Sequence, residues 1–180
     1  MANLNQPLNF NYANATNWKL IIPKAPVTNY FLQKTKVPDL SSAGAEQSTT
    51  FANVYHPSDH MNFDDFQFQY LADEDFANWA ELFKWYKTYA MPEVPTPSNL
   101  HIAPDIDLVC DCELIILSNN KVPTHRFVFY NAFLIYLEGP PFDHTVTDIE
   151  PISLSATLRY TTYDYFPLTG NGPPCAQGSN

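Results

Sequence analysis

The sequence predicts a mainly β protein with one flanking α-helix, an antiparallel sheet or barrel covered on one side, and three observations carry that prediction. Phe66, Phe68 and Tyr70 alternate with Gln67 and Gln69, and Ile152, Leu154, Ala156 and Leu158 alternate with Ser153, Ser155, Thr157 and Arg159. That is the period of a half-buried antiparallel strand. One segment has a helical period instead, with Phe76, Trp79, Ala80, Phe83, Tyr86 and Ala90 on one stripe before Pro92. The composition agrees: 13 Phe, 11 Tyr and 3 Trp stand beside 16 Pro and only 5 Gly, as in aromatic strands joined by stiff connections.

In chain order, residues 1–16 are Asn-rich, lack any period and read as an N-terminal arm. Asn17 to Ile22 is apolar and bounded by Pro23, which makes a first strand; Tyr30 to Val37 makes a second, ended by Pro38. Asp39 to Thr50 is small and polar, a loop or a hairpin that needs support from elsewhere. Phe51 to Tyr55 is a short strand and Asn62 to Tyr70 a longer one. The helix is expected over about 74–90, with Asp73 as its cap and Glu74 and Asp75 at the positive end of its dipole. Met91 to Asp105, with four prolines, is an extended connection. Strands resume at Leu108 to Ser118, Thr124 to Tyr130 and Phe133 to Glu138, and a last one runs from Ile152 to Tyr165. The domain is thus expected over residues 17–165, and residues 166–180 form a Pro/Gly-rich tail without a core of its own.

Charge and composition exclude several classes. Nine Lys+Arg against 19 Asp+Glu give −10 at pH 7, too few cations for a stable grip on nucleic acid or an anionic membrane. With 45% hydrophobic and 16% charged residues in 180, the chain is one ordered domain rather than an acidic tail. So many large rings exceed what one such core hides, and some are expected against partner subunits. The longest apolar run, Ala132 to Leu137, is far below the roughly 20 residues of a membrane span, so no membrane insertion is expected. The start, MANLNQPLNF, has neither a basic n-region nor an apolar h-region, so the expectation is a chain made and kept in a reducing cytoplasm. Cys110 and Cys112 share one face of a strand, Cys175 lies in the tail, and a single C-x-C pair is poor zinc spacing; all three read as plain thiols.

No nucleotide loop, G-x-S-x-G elbow or H-E-x-x-H helix occurs, so neither a catalytic residue nor a cofactor is expected. His56, Asp59 and His60 are the nearest approach to a metal site, but a proline interrupts them and they do not share a helix face; exposed loop residues are the plainer reading. His101, His125 and His144 are far apart in sequence. Asp105, Asp107, Asp111 and Glu113 would share one strand face opposite Leu108, Cys110, Cys112 and Leu114. Such a row is a solvated sheet face, a catalytic pair lacking any sign of two different environments, or the wall of a channel that repels a polyanion. Trp85 and Tyr89 fall off the expected helix stripe, and with Tyr86 they are candidates for a subunit interface or for stacking on sugar rings.

Tyr30-Phe31-Leu32-Gln33 leading to Val37-Pro38-Asp39-Leu40, then the strand Met61 to Tyr70, then Leu71-Ala72-Asp73-Glu74-Asp75-Phe76-Ala77-Asn78-Trp79 running into Leu82-Phe83-Lys84-Trp85-Tyr86, resembles the tail tube family of contractile-tailed bacteriophages. Phe142-Asp143, Thr147-Asp148-Ile149, Leu154 to Tyr160 and Tyr163-Asp164 are similar to the family's closing strand. The resemblance implies a rolled antiparallel sheet or β-barrel of the phage tail tube type with one flanking helix. It also implies a structural virion protein whose six copies form a ring, the rings building or capping a tube through which the genome is ejected. On that basis the expected partners are copies of itself, the sheath, the baseplate hub or a tail terminator, with DNA only passing through the lumen. The place is the virion tail, assembled in the host cytoplasm, as the repeated tube subunit or as an initiator or completion ring. Asp107, Asp111 and Glu113 are the candidate lumen residues. A β-rich carbohydrate- or receptor-binding virion module is the alternative.

Overall fold

The computed structural model describes residues 11–48, 50–57, 60–90, 108–145 and 150–168. β1 (Trp18–Ile21), a 3-10 turn (Thr28–Tyr30) and β2 (Leu32–Thr35) open the domain. The small polar stretch holds β3 (Leu40–Ser41) and β4 (Ala45–Ser48), and β4 pairs with β5 (Asn53–His56) as a hairpin. β6 (Asn62–Phe63) and β7 (Phe66–Leu71) precede α1 (Ala77–Ala90). β8 (Cys110–Leu117), β9 (Pro123–Leu137), β10 (Ser153–Arg159) and β11 (Thr162–Pro167) complete the fold. The Pro-rich connection of residues 91–105, the first ten residues of the arm and nearly all of the C-terminal tail lie outside the described residues, as do Asp59, His101, Asp105, Asp107 and Cys175.

Among the described residues the protein is mainly β with one α-helix, as its sequence predicts. The main sheet is antiparallel, in the order β1-β8-β9-β10-β7-β2, with β11 also on β9. β1 and β2 end that path and no ladder joins them among the described residues, so the sheet is rolled rather than a closed barrel.

The roll is made by β9. Residues 125–130 lie between β8 and β11, whereas residues 133–137 pair with β10. The bend falls at Asn131, whose φ of 53° is left-handed, a conformation that asparagine tolerates better than most residues. Its backbone N–H leaves the ladder and donates to Asp111 Oδ1 at 3.0 Å. The neighbouring strand breaks at the same level, between Arg159 and Thr162. Two strands expected at 124–130 and 133–138 are therefore one bent strand, and the single strand expected at 152–165 is two.

The two arms of the roll close on an aromatic core. Phe66 on β7 meets Phe129 on β9 with ring centroids 4.6 Å apart, and Phe129 also contacts Tyr160 and Tyr163. Phe66, Phe68 and Tyr70 are buried while Gln67 and Gln69 are exposed, as the alternation predicts. Each such side chain contributes about 1.5–3 kcal/mol by leaving water.

α1 departs from its predicted stripe. Asn78, Leu82 and Trp85 are its buried residues, and Phe83 is 43% exposed. The face is rotated because the aromatic groups with polar atoms turn inward, where strand carbonyls accept their hydrogen bonds, while the all-carbon ring of Phe83 stacks outside on Trp79 at 5.0 Å. The helix also begins at Ala77 rather than 74. Asp73 to Phe76 form a turn closed by the Phe76 N–H to Asp73 O bond (2.9 Å), and Phe76 has a φ of 53°. Glu74 and Asp75 belong to this turn, so no acid lies in the helix's first turn.

Candidate assembly surfaces

The helix aromatics taken from sequence as interface candidates all hydrogen-bond within their own subunit. Trp85 is 5% exposed and its indole N–H donates to Leu108 O at 3.0 Å. Tyr86 O–H donates to Ile135 O at 3.4 Å, Tyr89 O–H to Leu134 O, and Trp79 Nε1–H to Glu138 O at 3.0 Å. Leu134 and Ile135 lie at a bulge of β9, where Leu134 and Tyr136 pair with adjacent residues of β10 and Ile135 is the extra residue; Glu138 directly follows β9 and Leu108 precedes β8. α1 thus packs on the second half of β9. Burial raises the Tyr89 hydroxyl above its usual range, which keeps it a donor. The premise that Trp85 and Tyr89 are exposed is therefore corrected: Trp85 is core, and Tyr86 and Tyr89 are half-buried.

The acidic row is only partly a row. Cys112 and Leu114 point into the core and Asp111 and Glu113 point out, in the predicted sense. Glu113, however, lies 3.5 Å from Arg126 on β9, and the Arg126 guanidinium sits 5.3 Å over the ring of Phe166. Asp111 caps the Asn131 bend. The outward face of β7 and β10 is different, carrying Gln67, Gln69, Ser155 and Thr157 beside Lys34.

A third surface is the hairpin that the sequence expects to need support from elsewhere. The β4–β5 hairpin pairs with no other strand among the described residues, and every residue of β5 is exposed. Phe51, in its connection, is 98% exposed and Tyr55 is 70% exposed. Phe51, expected as the first residue of a strand, lies just before β5 instead. His56 Nε2 lies 3.2 Å from Gln47 Oε1 across the hairpin. Among the described residues no group of three or more His, Cys, Asp or Glu side chains is placed to hold a metal ion, and no helix is long and apolar enough to cross a membrane.

No protein-family model matches the chain, and no curated protein matches it. Solved structures do. A chain of the anti-feeding prophage cap, a tube-terminating cap, is 12% identical with a TM-score of 0.62, over 93% of this chain and 99% of that one. A chain of the sheath/tube terminator of PVC, an extracellular contractile injection system, is 14% identical with a TM-score of 0.61, over 89% and 99%. A chain of the PVC sheath–tube complex in the extended state is 13% identical with a TM-score of 0.57, over 87% and 93%. The chain has the tail-tube-like fold of contractile injection systems, the fold that its sequence resemblance implies.

Proposed function

We propose that the protein is a non-enzymatic structural subunit whose copies form rings, six to a ring, that build or cap the tube of a phage tail or a related contractile particle. The observation that carries this reading is the unsupported β4–β5 hairpin. A two-stranded ribbon is marginal in water on its own, and this one presents Phe51 and Tyr55 to solvent, which a second copy would cover. The fold shared over nearly full length with tube-terminator chains supports the same reading.

On this reading the tube is a conduit for the genome, the neighbours are sheath, baseplate or terminator proteins, and the particle is assembled in the host cytoplasm. Asp111 and Glu113 are its candidate lumen residues, joined by Asp107. A carbohydrate-binding module is less well supported, because Trp85, Tyr86 and Tyr89 direct their polar atoms at their own backbone. Negative-stain images and light scattering of the purified protein over a concentration series test the proposal. Rings or tubes are the expected result, and a monomer at every concentration overturns it. A map of the ring with Glu113 on its outer wall would overturn the lumen assignment alone.

A further inference from the structure

Cys110 and Cys112 occupy the start of β8 with their sulfurs 3.7 Å apart. On an ideal strand, residues two apart are separated by about 6.6 Å, too far for the roughly 3.5–4.5 Å between the Cβ atoms of a disulfide. β8 is not ideal here. Its register against β9 shifts between these two residues, opposite the Asn131 bend, and this irregularity accompanies the approach of the two sulfurs. Their surroundings are unequal: Cys110 is partly exposed and Cys112 is buried.

We propose that Cys110 and Cys112 form a dithiol oxidation site, in which Cys110 attacks a low-molecular-weight disulfide of the glutathione type and Cys112 then resolves the mixed disulfide. In the first step the Cys110 sulfur forms a bond to one sulfur of the small disulfide, whose S–S bond breaks and releases one thiol. In the second the Cys112 sulfur attacks the Cys110 sulfur and expels the second thiol. The two protein thiols are oxidised to one disulfide, the small disulfide is reduced to two thiols, and the protons of both cysteines leave on those thiols. The inference is independent of ring formation.

The local chemistry assigns these roles. The hydrogen bond from Cys112 holds the Cys110 thiol below its usual range, assisted by the Lys24 backbone N–H and ammonium and opposed by burial and by Asp111. Cys112 is pushed well up, by that same bond and by burial. From α1, Tyr89 is near enough for Cys110 to raise its hydroxyl, which donates to Leu134 O. A thiol favoured as thiolate and partly exposed is the attacking one, and a buried neighbour of opposite character resolves it.

The test uses the full chain carrying Cys175→Ser, treated with glutathione disulfide, quenched in acid at intervals and read by mass spectrometry. The expected course is a transient glutathione adduct on Cys110 and none on Cys112, followed by loss of two hydrogens from the peptide holding both, restored by dithiothreitol. Adding Cys112→Ser should leave the adduct trapped on Cys110. Should Cys112→Ser fail to fold, the order of species in the Cys175→Ser chain still decides. A stable adduct that never resolves, first attack at Cys112, or no reaction where free cysteine reacts would overturn the proposal.

Discussion

The Asn78 carboxamide donates to the carbonyl oxygen of Leu71 at 2.7 Å, fastening the first turn of α1 to the last residue of β7. Its Oδ1 accepts from the N–H groups of Trp79 (2.8 Å) and Asp73 (3.3 Å). Its own carbonyl accepts from Thr28 Oγ1 at 3.2 Å, which ties in the 3-10 turn. The side chain is fully buried, so these bonds are made away from competing water. Asn78→Ala should leave Leu71 O without its side-chain donor and cost about 2–4 kcal/mol in urea unfolding. Asn78→Asp keeps an acceptor but loses the donor, and should also destabilise. A change under about 0.5 kcal/mol for Asn78→Ala would show that the latch contributes nothing.

Two aromatic residues two positions apart on α1 separate core from surface. Trp85→Ala removes a buried indole and its bond to Leu108 O, and should cost about 3–5 kcal/mol. Phe83→Ala removes a half-exposed ring stacked on Trp79, and should cost about 1 kcal/mol or less. Denaturant midpoints of the two variants check this directly. Equal losses would place both rings in the core and reject the observed rotation of the helix.

That rotation marks the limit of the sequence reading. Alternation at Phe66–Tyr70 and Leu154–Leu158 identified buried faces correctly, because in a strand every second residue shares a side whatever the neighbours are. On α1 several stripes were available, and hydrophobicity alone favoured one through Phe83. The observed stripe was decided by the hydrogen-bonding atoms of Trp79, Trp85, Tyr86 and Tyr89 meeting carbonyls of β9 and Leu108, partners more than 20 residues away. Asn131 likewise bends a strand by a backbone angle that its identity permits but does not require. The acidic alternation at Asp111 and Glu113 was legible; Arg126, which reaches Glu113 diagonally across the ladder, was not.

The hairpin offers a separation of folding from assembly. Phe51 and Tyr55 are exposed, so Phe51→Ser and Tyr55→Ser should leave the unfolding free energy of the monomer within about 0.5 kcal/mol of the parent protein. The same variants should weaken ring or tube formation by tenfold or more in protein concentration, about 1.4 kcal/mol per tenfold. Sedimentation at a concentration series measures the shift. Unchanged assembly in both variants would remove these two rings from any interface.

Stability should fall in alkali, and three tyrosines, buried or half-buried, fix the direction. Burial raises the hydroxyls of Tyr70, Tyr89 and Tyr160 above the ordinary value of about 10. Folding therefore favours their protonated forms, so the contribution is fully present below about pH 10. It is lost as pH rises from there through the higher folded values, because the unfolded chain releases protons that the folded chain retains. Tyr70 isolates one share of this effect, since its hydroxyl is buried without a hydrogen-bond partner among the described residues. Tyr70→Phe should stay within about 1 kcal/mol of the parent at pH 7, where no bond is lost. Above pH 10 its stability should decline less steeply. Urea unfolding at a series of pH values between 7 and 11, alongside tyrosinate absorbance of the native chain, measures both slopes. Parallel slopes for the two proteins would show that Tyr70 ionises alike in the folded and unfolded chains.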